Sequence, residues 1–167
     1  MILVDTSVWV DHLRTGLPQL EAALQENDVV MHPWVIGELA CGNLRHRAQV
    51  LQLLQGLPKA TVASDGEVLL LIEQEQLMGR GIGLIDAHLL ASARLSGCWL
   101  WTGDRRLGVL SKDLGVAAPD CPPIAIFYED SRTHAPVPDP PVLHIEGLAY
   151  YEMNSLPLHW SVWVPCP

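Results

Sequence analysis

The chain opens with Met1-Ile2-Leu3-Val4-Asp5-Thr6-Ser7-Val8-Trp9, in which a continuous apolar run ends at a carboxylate and two hydroxyls. A short apolar run without polar alternation is typical of a strand buried on both faces of a parallel sheet. Thr6 or Ser7 can cap a helix directly after this strand, because a hydroxyl accepts from the free N–H groups of a first turn. The opening stretch therefore predicts a strand followed at once by a helix.

The same alternation of strand and helix signals continues to about residue 117. Pro18 and Pro33 can each be the first residue of a helix. Trp9 and Trp34 are expected in the core or at an interface. Further strands are predicted at residues 29–31, 61–63 and 98–102, and further helices at residues 18–26, 44–54, 68–77, 86–95 and 105–114, with one more that opens at Pro33 and includes Glu38. Repeated units of this kind predict an α/β fold with a parallel sheet flanked by helices on both sides.

Acidic residues interrupt mainly apolar or small-residue sequence at four places, namely Asp5, Glu38, Asp86 and Asp104. An ionised carboxylate among apolar neighbours is costly unless it is paired or binds a cation. Asp5 and Asp104 follow predicted strands, whose carboxyl ends meet in one crevice of a parallel sheet. Glu38 and Asp86 lie near the beginnings of predicted helices that can point to the same place. Hard ions such as Mg²⁺ or Mn²⁺ prefer oxygen ligands, so the pattern predicts a divalent metal site.

Each of these acids also has a purely structural interpretation. Asp5, Asp86 and Asp104 can each cap the helix that begins beside them. Glu38 is harder to explain in this way, because it falls among apolar residues of a predicted helix. His88 follows Asp86 by only two residues and projects from a different side of its helix, so we interpret His88 as structural and not as a ligand.

The overall composition is typical of a single-domain protein without membrane spans. The 167 residues are enough for one sizeable core. Although 49% of the residues are apolar, no apolar run approaches the roughly 20 residues of a membrane span, and no basic segment precedes Ile2 as in a signal peptide. The four cysteines are widely scattered, unlike those of zinc or redox sites. We expect a cytoplasmic protein with reduced thiols and no membrane association.

The composition changes near Val116, because all but three of the 13 prolines lie beyond it. Closely spaced prolines remove backbone donors and exclude helical angles from the residues that precede them. We therefore divide the chain into a body at residues 1–117 and a proline-rich C-terminal extension at residues 118–167. The composition of the extension leaves both order and disorder open, since it includes tyrosines and tryptophans that could dock on the body or on a partner.

Several motifs resemble those of PIN-domain ribonucleases, and in particular those of the VapC toxins of bacterial toxin–antitoxin pairs. In chain order the motifs are Val4-Asp5-Thr6-Ser7-Val8-Trp9, Gly37-Glu38-Leu39, Gly81-Ile82-Gly83-Leu84-Ile85-Asp86-Ala87-His88 and Trp101-Thr102-Gly103-Asp104-Arg105-Arg106-Leu107. Any one of these motifs is weak, whereas all of them in this order and at these separations are specific. The resemblance covers about residues 1–117 and implies a PIN-like nuclease domain.

The resemblance also implies an activity, a cofactor and partners. It implies an endoribonuclease that depends on Mg²⁺ or Mn²⁺ and acts on an RNA substrate. Thr6 and Thr102 match positions where the family often places a hydroxyl near the metal or the scissile phosphate. Similar toxins are usually homodimers and are held inactive by a cognate VapB-type antitoxin. The acidic residues of the family carry over, as catalytic metal ligands, to Asp5, Glu38, Asp86 and Asp104.

The net charge is unusual for an enzyme that binds RNA, because the chain has a formal net charge of −9. Nine Lys and Arg against 13 Asp and Glu give the body a net charge of −4, and one Arg against six acids gives the C-terminal extension −5. Two bound divalent ions would offset the excess of the body. Arg105, with Arg106, could then contact phosphate groups. An acidic extension folded over this surface would weaken RNA binding.

We expect metal-assisted hydrolysis of RNA phosphodiester bonds that leaves 5′-phosphate and 3′-hydroxyl ends. One alternative is a phosphatase that works through an aspartyl-phosphate. It is disfavoured because Ser7 stands two residues after Asp5, where that chemistry commonly uses a second aspartate. The other alternative is a PIN-like binding protein that is non-catalytic or inhibited by its C-terminal extension.

Overall fold

The computed structural model describes residues 1–119, which form three strands and seven helices. Predictions about the C-terminal extension beyond Pro119 lie outside the described residues. None of the helices within residues 1–119 is long and apolar enough to cross a membrane. In chain order the elements are β1 (Ile2–Val4), α1 (Thr6–Thr15), α2 (Pro18–Gln25), β2 (Val29–Val30), α3 (Pro33–Cys41), α4 (Arg47–Gly56), α5 (Asp65–Gln74), α6 (Leu84–Ser96), β3 (Trp99–Trp101) and α7 (Arg105–Asp113).

β1 is the middle strand of a parallel sheet with the order β2-β1-β3. Ile2 pairs with Val29 on one side and with Trp99 on the other. Leu3 and Val4 are fully buried, as the unbroken apolar run at the start of the chain predicts for a strand covered on both faces. The predicted α/β fold with a parallel sheet flanked by helices is confirmed.

The beginnings of α1, α3 and α7 converge on one edge of the sheet, because each helix follows the carboxyl end of a parallel strand. Pro33 is the first residue of α3, a position whose N–H has no hydrogen-bond partner within the helix, so proline loses no helical hydrogen bond there. Asp5 and Asp104 are the N-caps of α1 and α7. This edge therefore receives the first turns of three helices and the acids that precede or occupy them.

The core is built mainly from aliphatic side chains of the helices and the sheet. Leu20, Leu89 and Leu90 are fully buried, and the indole of Trp9 is also in the core. Trp34 is 47% exposed, so a core position is confirmed for Trp9 and excluded for Trp34, whose position at an interface stays a prediction. The Trp34 ring instead packs at the surface against the buried His88, with 5.8 Å between the ring centroids.

The strand predicted at residues 61–63 is wrong, because the amides of this segment bond to side chains and not to another strand. The Thr61 N–H donates to Ser96 Oγ at 2.8 Å, and the Ala63 N–H donates to Ser92 Oγ at 3.0 Å. Both serines belong to α6. The segment therefore runs along α6 as an irregular connection.

Predicted helix boundaries differ where capping contacts decide the first turn. α5 begins before residue 68 because Ser64 and Glu67 form a capping box, with the Ser64 N–H donating to Glu67 Oε2 at 2.7 Å. α6 begins before residue 86 because Asp86 reaches back to the Gly83 N–H. α4 begins later than residue 44, after His46, whose φ of 47° is left-handed and breaks the chain direction.

Candidate active site

Asp5 lies at the carboxyl end of β1, with only 6% of its surface exposed. Its N–H donates to the Trp101 carbonyl at 2.9 Å, which extends the pairing of β1 with β3. Its side chain accepts from the Thr6 N–H at 2.7 Å and from the hydroxyls of Ser7 and Thr102 at 2.6 and 2.8 Å. These three donors fix the orientation of the carboxylate without offsetting its charge.

Glu38 reaches the same edge of the sheet from α3. The Thr6 hydroxyl donates to Glu38 Oε2 at 2.5 Å. Because the Thr6 N–H is bonded to Asp5, this one residue contacts two of the predicted acids through two different donors. Thr6 therefore holds the half-buried Glu38 beside the first turn of α1.

Thr102 makes a corresponding link on the β3 side of the site. Its hydroxyl donates to Asp5 Oδ2 and accepts from the Asp104 N–H at 3.0 Å. The Ser7 hydroxyl makes a second link, because it donates to Asp5 and accepts from the Gly103 N–H at 2.9 Å. From the sequence alone, Ser7 is predicted only as a possible helix cap. Ser7 lies in the first turn after Asp5, and this position in the sequence indicates that its hydroxyl could also contact the loop after β3.

Asp86 is half-buried at the beginning of α6, where its Oδ2 accepts from the Gly83 N–H at 2.8 Å. Burial is the main cause that raises the pKa of Asp86, and the negative charges of the other three predicted acids raise it further. The hydrogen bond from Gly83 acts in the opposite direction. Asp5, Glu38 and Asp104 therefore all lie within electrostatic range of Asp86.

Asp104 is exposed and caps α7 through a single oxygen. Its Oδ1 accepts from the N–H groups of Arg106 and Leu107 at 2.7 and 2.8 Å. The structural interpretation of Asp5, Asp86 and Asp104 as capping residues is thus confirmed. Capping does not exclude metal binding, because a carboxylate has two oxygens with about four acceptor positions. Asp86 and Asp104 each cap a helix with one oxygen and keep the other for a further partner.

The four acids suit a divalent cation chemically, although they do not form a finished ligand shell. Within residues 1–119, no three His, Cys, Asp or Glu side chains are placed so that they could hold one metal ion. Metal ligation requires shorter distances than the electrostatic interaction that raises the pKa of Asp86. The other acids can therefore act on Asp86 although no three of these described side chains are close enough to hold one ion. None of the four acids forms an ion pair with another described residue. Their oxygens and unbalanced charge are what Mg²⁺ or Mn²⁺ requires.

Arg105 lies exposed in the first turn of α7, directly after Asp104. Its contact with phosphate stays a prediction. The neighbouring Arg106 donates from Nη1 to the Gly81 carbonyl at 3.2 Å. This contact joins the beginning of α7 to the loop before α6, so the segments that carry Asp104 and Asp86 are tied together.

The parallel sheet and its acidic edge are those of a PIN domain, whose family model matches residues 2–112. Ribonuclease VapC32 of Mycobacterium tuberculosis is 46% identical to this chain over 118 residues, which are 70% of this chain and 95% of the relative. The same values hold for the protein of strain CDC 1551 / Oshkosh and for that of strain ATCC 25618 / H37Rv. The chain therefore belongs to the VapC family of PIN-domain ribonucleases, and the resemblance carried by its motifs is confirmed.

Proposed function

We propose that this chain cleaves RNA with Mg²⁺ or Mn²⁺ held by Asp5, Glu38, Asp86 and Asp104. As a VapC-family ribonuclease it is an endoribonuclease toxin of a toxin–antitoxin system. The observation that supports the ligand assignment is a chain of contacts in which Thr6 joins Glu38 to Asp5 and Thr102 joins Asp5 to Asp104. Family membership disfavours a non-catalytic binding protein.

Each acid contributes differently to this proposed site. Bound Mg²⁺ or Mn²⁺ would supply positive charge that polarises water and neutralises the leaving oxygen. Asp5 provides the most rigid carboxylate, since three donors hold it. Glu38 approaches from α3 and is oriented by the Thr6 hydroxyl. Because its pKa is raised, Asp86 takes up a proton at a higher pH than an ordinary aspartate, so protons compete with the cation there.

We also propose substrate contacts around this site. The Thr6 and Thr102 hydroxyls already bond to the acids, and they are candidates for contact with the scissile phosphate. Arg105, exposed at the beginning of α7, is a candidate for contact with the RNA backbone. Hydrolysis that expels the 3′ oxygen leaves 5′-phosphate and 3′-hydroxyl ends.

Family membership implies an RNA substrate and a VapB-type antitoxin. A homodimer and a cytoplasmic location are further proposals. The side chains of Leu69 and Leu70 on α5 are 61% and 56% exposed, which supports self-association through an apolar surface. Light scattering of the purified chain tests this, and a monomeric mass at micromolar concentration would contradict the homodimer.

The test of the proposed activity compares the full chain with Asp5→Asn on structured RNAs, in Mg²⁺ or Mn²⁺ and in EDTA. We expect metal-dependent cleavage that falls at least about 100-fold in Asp5→Asn, since loss even of a residue that only supports a ligand costs 10–100-fold. Asp11→Asn is the matched control, because Asp11 lies on the same helix and pairs with Arg14 at 3.3 Å. Absence of metal-dependent cleavage by the unsubstituted chain would refute the proposal.

Circular dichroism separates a catalytic from a structural role of Asp5. If Asp5→Asn fails to fold, Asp5 is mainly structural, and Glu38→Gln then tests the site. Glutamine keeps an oxygen for the Thr6 hydroxyl while it removes the charge. A folded Glu38→Gln variant with full activity would exclude Glu38 from the proposed ligands.

A further inference from the structure

A shallow depression beside the beginning of α7 is lined by three arginines. Arg80, Arg105 and Arg106 surround a cavity of about 300 Å³, whose other walls are Val109 and Leu110. The body of the chain has nine Lys and Arg against 13 Asp and Glu, a net charge of −4. A local concentration of positive charge on an acidic domain indicates a place where an anion binds.

Arg80 lies in an unusual turn and contacts one acidic partner. It stands between Gly79 and Gly81, whose φ angles of 71° and 76° are left-handed. Its guanidinium contacts Asp113 at 3.1 Å, and both side chains are largely exposed. An exposed ion pair contributes little to stability. The pair also leaves most of the five N–H donors of the Arg80 guanidinium unused.

Arg106 and Arg105 differ in how they are held. The Arg106 guanidinium lies against the backbone of Gly81, where an added Cβ would stand only 3.0 Å from Nη1. Arg105 makes no hydrogen bond or ion pair with any residue in the part of the chain that the structure describes. Arg106 thus forms part of the wall, and Arg105 is available for a ligand.

The position of the depression relates it to the proposed ligands. Arg105 and Arg106 follow Asp104 directly, and Gly81 belongs to the loop that leads to Asp86. An RNA strand that reaches the acids therefore passes close to the arginines. Planar guanidinium groups match pairs of phosphate oxygens, and the apolar wall suits the face of a ribose.

We propose that this depression binds a backbone phosphate of the RNA substrate that flanks the cleaved bond. Arg80 and Arg105 are the phosphate-binding residues, and Arg106 is a positioning residue that holds the two loops together. This inference rests on the proposed ribonuclease function. RNA fits better than the acidic C-terminal extension, because RNA supplies a phosphate at every nucleotide, whereas the six acids of the extension are dispersed over about 50 residues.

The test measures binding of a fluorescent single-stranded RNA to the full chain carrying Asp5→Asn, in EDTA and at several salt concentrations. In this background we expect Arg80→Gln to weaken binding about threefold or more and to reduce the salt slope of log K by about 0.7. Asp113→Asn should strengthen binding, because it removes the acid that neutralises Arg80. Arg94→Gln is the matched control, since Arg94 is also a surface arginine in an ion pair, with Glu75 at 2.6 Å, and should leave binding unchanged.

Opposite effects of Arg80→Gln and Asp113→Asn are the decisive result, because a merely structural ion pair would make both variants change binding in the same direction. Equal effects of Arg80→Gln and Arg94→Gln, or no RNA binding at all, would overturn the inference. Stronger RNA binding by Arg80→Gln would also overturn it and identify the C-terminal extension as the occupant. Cleavage by the unsubstituted chain is measured in parallel. Arg80-dependent RNA binding without cleavage would refute the proposed nuclease activity and leave the proposed phosphate-binding role of Arg80 intact.

Discussion

Asp5 accepts hydrogen bonds from Thr6, Ser7 and Thr102 at a position that is almost wholly buried. All three donors are neutral, so the negative charge of Asp5 is held in place and is not offset by a neighbouring cation. The contacts that make Asp5 a good helix cap also orient it as the proposed metal requires. At this residue, stability and the proposed chemistry depend on the same atoms.

The acids of the proposed site can be selected from the sequence, because each interrupts apolar or small-residue segments. Their hydrogen-bond partners are harder to select. Thr6 and Thr102 enter the prediction through resemblance to a family, and Ser7 does not enter it as a partner of the site. The contact between Thr102 and Asp5 joins residues 97 positions apart, so it depends on how β1 and β3 are placed. No local pattern contains that information.

His12 is a buried neutral residue whose protonation should weaken the fold. Its Nδ1 accepts from the Leu17 N–H at 3.0 Å, and burial lowers its pKa from 6.5 to about 4. The unfolded chain therefore binds the proton first as the pH falls, so the stabilisation is fully present above pH 6.5 and is lost progressively toward pH 4. We expect the free energy of unfolding, measured with urea, to fall by about 2 to 3 kcal/mol over this range through His12 alone.

His32 adds to this pH dependence, because burial and the nearby His88 lower its pKa to about 4 as well. His12→Asn isolates the part due to His12, since asparagine can offer Leu17 an acceptor that does not titrate. The variant should lose about 2 kcal/mol less than the unsubstituted chain between pH 6.5 and pH 4. Identical pH profiles would show that His12 does not carry the effect.

At the scale of elements, the capping box of α5 gives a separate test of stability. Ser64 and Glu67 satisfy each other's backbone N–H groups at the exposed beginning of the helix. The Ser64 hydroxyl and the Ser64 N–H both donate to Glu67 Oε2 and lower the pKa of Glu67. We expect Ser64→Ala to lower the free energy of unfolding by about 1 kcal/mol, with unchanged RNA cleavage. Ser64→Thr keeps the hydroxyl and should be nearly neutral, so equal losses in both variants would contradict a capping effect.

Elements with strong local signals are predicted well from the sequence. Pro18 and Pro33 mark the beginnings of α2 and α3, and the apolar run before Asp5 marks β1. Residues 61–63 have a composition typical of a strand but do not form one, because N–H groups of this segment donate to serine hydroxyls of α6 and not to another strand. That outcome depends on tertiary contact between segments that are distant in sequence. The predicted division at residue 117 stays a prediction.

At the scale of the whole molecule, the proposed cation should stabilise the fold. A ligand that binds only the folded state stabilises it by about 2.7 kcal/mol at a concentration 100 times its Kd. We expect Mn²⁺ or Mg²⁺ to raise the Tm of the full chain relative to EDTA, as measured by calorimetry. Asp86→Asn should lose most of this increase, and Asp11→Asn should keep it.

In EDTA at neutral pH, we expect Asp86→Asn to be more stable than the unsubstituted chain. The raised pKa of Asp86 reflects burial and repulsion by the other acids, which disfavour its charged form in the folded state. The folded state thus gains stability as the pH falls through this raised pKa. Asp86→Asn carries no charge there at any pH, so its advantage over the unsubstituted chain should be largest at neutral pH and should disappear at low pH. A Tm that is unaffected by metal in all variants would argue against the proposed ligands.

The C-terminal extension supplies a net charge of −5 out of −9, from six acids and one Arg. If it acts as an electrostatic inhibitor, a chain that ends at Pro119 should bind RNA more tightly and cleave it faster, most clearly at low salt. A full-length variant in which these acids are replaced by Asn and Gln separates charge from bulk. Equal binding by all three proteins would show that the extension does not inhibit.

The order of the strands in the sheet also has a consequence for synthesis on the ribosome. β1 is the first of the described strands to be translated, and it pairs with β3, the last of them. A nascent chain that has reached residue 98 already contains Asp5, Glu38 and Asp86, but it lacks both β3 and the Thr102 hydroxyl that holds Asp5. The proposed active site therefore cannot form until the domain is almost completely translated. A prematurely terminated copy that ends before β3 should consequently show no RNA cleavage.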